Sequence, residues 1–211
     1  MLYLSLLELN PRSRQVQSEL RSTYEMHRTL AKVFGEGAEA QSAARCLFRV
    51  DEDRQGGLRL LVQSQTPPQW AALTAAPDYL CGPPQVKPFA PVLQNGQTLA
   101  FRLRANPAKR SSAKPEGKRQ GNRVGLYRED ERRAWLARQG VMHGFVLEAL
   151  TVADEGPASM PVKGRAAVFS AARFEGVLRV TDAAAFASAV VGGVGSGKGF
   201  GFGLLSLSRL K

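Results

Sequence analysis

The order of strand-like and helix-like segments constrains the fold of this 211-residue chain more than any other feature of its sequence. LYLSLLEL alternates and is rich in strand formers, and Asn10-Pro11 ends it. A helical region from Ser13 to Phe34 follows, then a β-hairpin pattern in CLFRVDEDRQGGLRLLVQSQ and a short helix pattern in PQWAALTAAPDYL. This part of the chain therefore predicts a strand, a helical region, two strands and a helix.

The helical region is predicted to be two short helices with a joint near Arg21 and Ser22. Ser22 followed three residues later by Glu25 matches a capping box, which marks the start of the second helix. Tyr24 and His27 then lie three residues apart on one face of that helix.

The remaining sequence repeats the same order of elements. In GQTLAFRLRANP, apolar Leu99, Phe101 and Leu103 alternate with other residues that include Arg102 and Arg104, which predicts a strand with one apolar and one basic face. Later segments predict a helix from Asp130 to Gln139, a second hairpin in GRAAVFSAARFEGVLRV, a helix in DAAAFASAVVGG and a last strand in GFGLLSLSRL; the pattern from His143 to Val152 leaves strand and helix open.

Each half thus approximates the β-α-β-β-α-β order, which predicts an α+β protein with tandem ferredoxin-like (RRM-like) domains. Pro83 to Phe89 is rich in proline and lysine and is predicted to be a linker. We place the domains at 1–88, with the Tyr24–His27 helix, and at 89–211.

Charge points to a polyanionic partner. The formal net charge is +11 and the isoelectric point is about 10.3, which favours nucleic acid first and an anionic membrane second. Between Arg102 and Arg133 there are eleven basic and four acidic residues, and residues 108–123 are predicted to be a polar loop. A solvated loop without a ligand is the alternative.

A membrane-surface protein is disfavoured because the charges lie on a strand and a loop instead of an amphipathic basic helix. No stretch reaches the roughly 20 apolar residues that cross a bilayer, and the first ten residues lack the basic start and small-residue cleavage site of a signal peptide. We therefore expect a cytoplasmic protein without a membrane partner.

Other chemistry is largely excluded by residue type. Cys46 and Cys81 lack the spacing of a thiolate metal site, and His27 and His143 are too few for the common histidine-rich zinc sites. Gly192 to Lys198 fits the G-x-x-x-x-G-K pattern of a nucleotide-binding loop, but Gly199 stands where a Ser or Thr should hold Mg²⁺ and no helix pattern follows. A glycine-dense loop can still approach a phosphate backbone closely.

Three segments together resemble the CasE family of CRISPR-associated endoribonucleases. YEMHRTLAK is similar to that family's active-site segment, FRLRANPAKR to another family segment and GVGSGKGFGFGLLSL to the C-terminal glycine-rich loop of the repeat-associated RNA-binding proteins. The segments lie in the expected order, and the resemblance extends from Leu2 to Leu207. Between Val152 and Arg173, where family members often carry a longer basic hairpin, this chain has only Lys163 and Arg165 as basic residues.

The resemblance implies a protein that binds the repeat hairpin of a precursor transcript, cuts it at the 3′ base and joins a Cascade-type effector complex, with no metal and no small-molecule cofactor. It also implies that Tyr24, His27 and Lys32 form the catalytic group. The ribose 2′-OH can attack the phosphate, so His27 is either the base for the 2′-OH or the acid for the departing 5′-oxygen. On a straight helix Lys32 faces away from His27, so it must reach back or the helix must bend.

RNA contacts are predicted for a basic and glycine-rich set of residues. These are Arg102, Arg104, Lys109, Arg110, Lys163, Arg165, Gly195, Gly197 and Lys198. Three alternatives stay open at this point: His27 as a packing residue, Tyr24 as a core aromatic, and the whole chain as a non-catalytic RNA-binding module of the same fold. His143 has no flanking pattern and is predicted to be structural.

Overall fold

Six helices and ten strands are present in the computed structural model, which describes residues 1–53, 55–74, 78–111, 122–162 and 165–210, with the backbone alone at 74, 160–162 and 165–166. The helices are α1 (Arg14–Arg21), α2 (Thr23–Lys32), α3 (Ala38–Ala44), α4 (Ala71–Thr74), α5 (Glu129–His143) and α6 (Ala183–Gly192), and Lys198–Phe200 forms a 3₁₀ turn. The strands are β1 (Leu2–Leu9), β2 (Leu47–Glu52), β3 (Leu58–Ser64), β4 (Gln85–Phe89), β5 (Thr98–Ala105), β6 (Ala108–Arg110), β7 (Arg123–Gly125), β8 (Phe145–Val162), β9 (Arg165–Val180) and β10 (Leu205–Arg209).

Two four-stranded sheets have the same topology. Their strand orders are β2-β3-β1-β4 and β10-β5-β9-β8. In each sheet the first strand lies between the third and fourth, and the second strand is at an edge. This split arrangement is the ferredoxin-like one, so the predicted α+β fold with tandem ferredoxin-like domains is confirmed.

By compactness the chain divides into two units. The first contains Met1–Val92, Met160–Ala166 and Lys198–Leu204, and the second contains Leu93–Ser159, Ala167–Gly197 and Leu205–Lys211. These units are defined by compactness and do not test which part of the chain folds by itself. The predicted domain boundary at residue 88 therefore stays a prediction. No helix in the described ranges is long and apolar enough to cross a membrane.

In the first unit β1 is the central strand, antiparallel to β3 and β4. Leu7 and Leu9 on its buried face join the core with Met26, Leu30 and Phe48, which come from α2 and β2. In the second unit β5 alternates along its whole length. Its apolar side chains are buried and its arginines lie on the other face, as the sequence predicts, because successive side chains of a strand point to opposite faces.

The joint between α1 and α2 is confirmed, but the predicted capping box is wrong. Ser22 ends α1 and precedes α2, and its hydroxyl is buried without a hydrogen-bond partner in the described structure. The backbone N–H of Glu25 donates instead to the carbonyl oxygen of Ser22 (2.8 Å), and the Glu25 carboxylate pairs with Arg28. Because one residue serves both helix ends, its dihedral angles keep its hydroxyl from the N–H groups that it was predicted to cap.

Two other predicted elements are wrong. The predicted linker Pro83–Phe89 contains strand β4, which tolerates Pro88 because it lies at the edge of the sheet. The predicted second hairpin is the single strand β9, which pairs with β8. Gly176 does not form a turn. A Cβ at this residue would lie 2.0 Å from the carbonyl oxygen of Ala149 in β8, so glycine permits the close approach of the two strands.

A buried carboxylate connects the helices of the first unit. Glu19 of α1 is 3% exposed and accepts hydrogen bonds from Thr29 of α2 (2.7 Å), from Tyr79 (2.5 Å) and from Gln15 (2.9 Å). Burial, the hydrogen bond to Glu19 and its charge all raise the pKa of Tyr79, so the phenol keeps its proton as a donor. Three donors compensate the lost hydration of this carboxylate.

We predict that Tyr79→Phe destabilises the protein while leaving the fold intact. The change removes one hydrogen bond to a buried charged group, which contributes about 1.5–3 kcal/mol to the free energy of unfolding. Urea unfolding followed by circular dichroism measures the loss, and Tyr127→Phe, at a tyrosine 49% exposed, is the control. Equal stabilities of the two variants would contradict this role of the Glu19 cluster.

Candidate functional site

The predicted catalytic helix faces the glycine-rich segment within the first unit. Tyr24 and His27 lie one turn apart on α2. The Tyr24 ring stacks on the ring of Phe200, with centroids 6.1 Å apart and planes at 29°. A Cβ at Gly199 would lie 3.7 Å from Nε2, Cδ2 and Cε1 of His27. Because residue 199 has no side chain, one face of the imidazole borders on bare backbone.

His27 is held mainly in its neutral form. Burial lowers its pKa below the ordinary value of 6.5, because a partly desolvated imidazolium loses hydration. Its Nδ1 atom is buried and has no hydrogen-bond partner in the described parts of the chain. No acceptor there fixes the tautomer, so either ring nitrogen can carry the proton. At pH 7 the ring is therefore able to accept a proton.

Lys198, the residue before Gly199, has a second cation, Arg45, near it. The pKa of Lys198 is lowered, first by burial and then by the positive charge of Arg45. Arg45 is exposed, ends α3 and has a left-handed backbone conformation (φ 42°). Sequence reasoning identified Lys198 through the glycine-rich motif but missed Arg45, because no motif marks it and helix α3 itself was not predicted.

Lys32 lies in the last turn of α2 and is exposed. Five residues of an α-helix correspond to about 140° of rotation beyond one full turn, so Lys32 and His27 leave the helix in different directions. Its catalytic role remains a prediction.

The two other predicted glycines have conformations that other residues rarely adopt. Gly195 and Gly197 have φ angles of 85° and 81°. A Cβ at Gly195 would lie 3.1–3.2 Å from two ring carbons of Trp135. The segment follows helix α6 instead of preceding a helix, which is the opposite of a nucleotide-binding P-loop.

Three of the predicted RNA-binding cations are paired with carboxylates. Arg102 bonds to Glu175, which lies directly opposite on β9 (2.7 Å), Arg104 bonds to Glu155 (2.5 Å), and Lys109 bonds to Glu131 (2.9 Å). These pairs are partly exposed, so each contributes little to stability, about 0–1 kcal/mol. A polyanion would have to compete with these carboxylates.

Arg110 differs from the three paired cations. It lies in the β6–β7 ribbon directly opposite Arg123. Neither guanidinium forms an ion pair with a carboxylate in the described ranges. Most of the loop between these strands, residues 112–121, lies outside the described residues. Lys163 also lies outside them, and at residue 165 only the backbone is described.

Comparison with known proteins gives consistent matches over the whole chain. A family model described as "CRISPR associated protein" matches residues 2–209. The chain is 37% identical to the CRISPR-associated endoribonuclease Cse3 of Thermus thermophilus over an alignment that covers 98% of this chain and 100% of that protein. It is 32% identical to the CRISPR system Cascade subunit CasE of Escherichia coli K12, over 90% of this chain and 94% of that protein.

A solved structure has a closely similar fold. It is the structure of Thermus thermophilus Cse3 bound to an RNA representing a pre-cleavage complex, which superposes with a TM-score of 0.85 and 37% sequence identity over 99% of both chains.

We predict that the His27 ring titrates below pH 6.5 in the free protein. As the pH falls through 6.5, the unfolded chain binds this proton before the folded protein does, so protonation of His27 destabilises the fold. Because the chain has two histidines, an NMR titration of the imidazole protons resolves them, and His27→Gln assigns the signal. A midpoint at or above 6.5 would contradict the burial of this ring.

Proposed function

The chain belongs to the CasE family of CRISPR-associated endoribonucleases, and on that premise we propose that it binds the stem-loop of a CRISPR repeat in a precursor transcript and cleaves it at the 3′ base of the stem. The observation that carries the proposal is the neutral imidazole of His27 beside the bare backbone of Gly199. The RNA-bound state of the similar Thermus protein supports an RNA substrate.

The reaction needs no nucleophile from the protein. His27 accepts the proton of the 2′-OH that precedes the scissile phosphate, and the 2′-oxygen forms a bond to phosphorus. The bond from phosphorus to the 5′-oxygen breaks, and the 5′-oxygen takes a proton from solvent. The products are a 2′,3′-cyclic phosphate and a 5′-hydroxyl, and no metal ion takes part. The lowered pKa of His27 favours this base role over the acid role.

The neighbouring side chains orient and stabilise the reacting phosphate. Tyr24, held by its stacking on Phe200, donates a hydrogen bond to a phosphate oxygen. Lys198 and Arg45 supply positive charge where negative charge develops, in a partly desolvated place where such charge has most effect. Lys32 is the alternative source of this charge.

The function extends beyond cleavage. One relative is a subunit of Cascade, and we propose that this chain likewise keeps the cleaved RNA and joins a multisubunit effector complex in the cytoplasm. Arg102, Arg104, Lys109 and Arg110 bind phosphates of the repeat RNA, because the deep, narrow major groove of A-form RNA keeps side chains from its base edges. Gly195, Gly197, Lys163 and Arg165 complete the proposed RNA-binding set.

We predict cleavage of a labelled repeat hairpin in the presence of EDTA, and its loss in His27→Ala. Removal of a general base slows the reaction about 10²- to 10⁴-fold, whereas binding of the hairpin remains. Single-turnover kinetics measure the rate, mass spectrometry of the 5′ product identifies the cyclic phosphate, and His143→Ala is the matched control.

The pH profile tests the base role. Because the neutral ring is the active form, the wild-type rate falls as the pH drops through the lowered pKa of His27, and it is level at neutral pH. Binding without cleavage by the wild type would instead indicate a non-catalytic RNA-binding module.

We predict that Lys198→Ala slows cleavage more than Lys32→Ala. Loss of a group that stabilises transition-state charge costs about 10²- to 10³-fold in rate, and Lys198 is the lysine next to the His27–Gly199 contact. Lys87→Ala, at an exposed lysine of β4, controls for the loss of one positive charge. A larger effect at Lys32 would assign the role to Lys32.

A further inference from the structure

A polar cleft in the second unit has the properties of a binding site for a single nucleotide. Its volume is about 280 Å³, and the residues that line it include Arg110, Arg123, Trp135, Gln139 and Ser196. This volume lies just below the usual range for ligand pockets, about 300–1,000 Å³. The cleft therefore has room for one nucleotide-sized group and none for a duplex.

The entrance of the cleft carries two opposed positive charges. Arg110 and Arg123 are directly opposite each other in the β6–β7 ribbon. Like charges in such a pair destabilise a sheet, and none of the cleft's described lining residues is acidic. A bound anion between the two arginines would relieve this repulsion. A phosphate fits because planar guanidinium groups bind its oxygens in pairs.

The inner wall of the cleft offers hydrogen-bonding groups at fixed positions. Asn106 Nδ2 donates to Ser196 Oγ (3.4 Å), and Asn106 Oδ1 accepts from the backbone N–H of Ser170 (2.9 Å). Asn106 is thus a support, and the Ser196 hydroxyl keeps its own proton to donate. Gly195 lies against Trp135 with no room for a side chain, which fixes the backbone that carries Ser196.

Gln139 supplies the group that can discriminate between bases. It lies on α5, is partly exposed and lines the cleft. Its amide offers both an acceptor and two donors, as the edge of a base requires. An unpaired base fits such a wall best, because the deep, narrow major groove of an A-form stem keeps side chains from its base edges and sequence-specific RNA recognition mostly uses unpaired nucleotides.

We propose that this cleft binds one unpaired nucleotide of the repeat RNA, with the phosphate between Arg110 and Arg123 and the base against Gln139 and Ser196. The inference rests on the proposed function, since that function supplies the RNA. It adds a base-reading site to a surface that otherwise recognises phosphates and shape.

The test uses hairpin RNAs that carry an abasic residue at each unpaired position in turn. Binding is measured in the His27→Ala protein, so that cleavage does not interfere. We expect one abasic position to weaken binding about tenfold, the effect of one or two lost hydrogen bonds. When Gln139→Leu is added, the intact RNA binds about tenfold more weakly and the same abasic position has no further effect. Gln139→Glu keeps the size of the side chain, removes its donors and serves as the second variant.

The phosphate half of the site has a separate readout. Arg123→Ala weakens binding of every RNA alike and lowers the slope of log affinity against log salt by about 0.7, the change for one phosphate contact with a single strand. Arg138→Ala, which removes a neighbouring exposed charge of α5 that does not line the cleft, leaves the slope unchanged.

Abasic effects that are the same with and without the Gln139 side chain would overturn the proposal, and so would a salt slope that Arg123→Ala leaves unchanged. Failure of the proposed function is distinguishable. If the wild type binds the hairpin without cleaving it, the proposed endoribonuclease activity is refuted, whereas the proposed nucleotide site is not. If it binds no hairpin, both are refuted.

Discussion

The contact between the imidazole of His27 and the backbone at Gly199 is the interaction on which the proposed chemistry of this protein depends. The ring is buried enough to lower its pKa, and yet the glycine at 199 leaves the space beside Nε2 without a side chain. A larger residue at 199 would occupy the volume into which a phosphodiester has to fit. A fully exposed imidazole, in turn, would be partly protonated near neutral pH and less available as a base. The site thus combines partial burial of the imidazole with open space beside its Nε2 atom.

Each unit also contains a buried charged side chain that holds its elements in place. In the first unit Glu19 of α1 accepts hydrogen bonds from Tyr79 and from Thr29, which lies two residues along α2 from His27. In the second unit Arg132 is 1% exposed, donates to the carbonyl oxygen of Leu126 (2.9 Å) and pairs with Asp154 (2.9 Å). Removing a partner from such a group leaves a charge without compensation, which costs more than the loss of apolar contacts of similar size. These clusters therefore fix the geometry of the helices that bear functional residues.

The net charge of +11 overstates the positive surface that is available to RNA. Arg102, Arg104 and Lys109 are neutralised locally by carboxylates, whereas Arg110 and Arg123 face each other without acidic partners in the described structure. Under the proposed function, RNA replaces the carboxylate partners of some cations and binds directly to others. Such an arrangement gives a salt-dependent affinity while limiting non-specific adhesion, because the paired cations attract a generic polyanion less than their number suggests.

Local patterns in the sequence determined the type of most elements and the pairing of Tyr24 with His27, since alternation, helical spacing and glycine punctuation are short-range properties. Two predictions were wrong because proline and glycine were interpreted as residues that end a strand. Pro88, in the predicted linker Pro83–Phe89, lies in an edge strand, which tolerates proline. Gly176, in the predicted hairpin, lies inside β9 and permits the close approach of two backbones. Tertiary structure alone brought Gly199 and Phe200 to helix α2, placed Arg45 near Lys198 and set Arg110 against Arg123. These contacts join residues far apart in the chain, and no local propensity encodes them; they follow from how the sheets and helices pack.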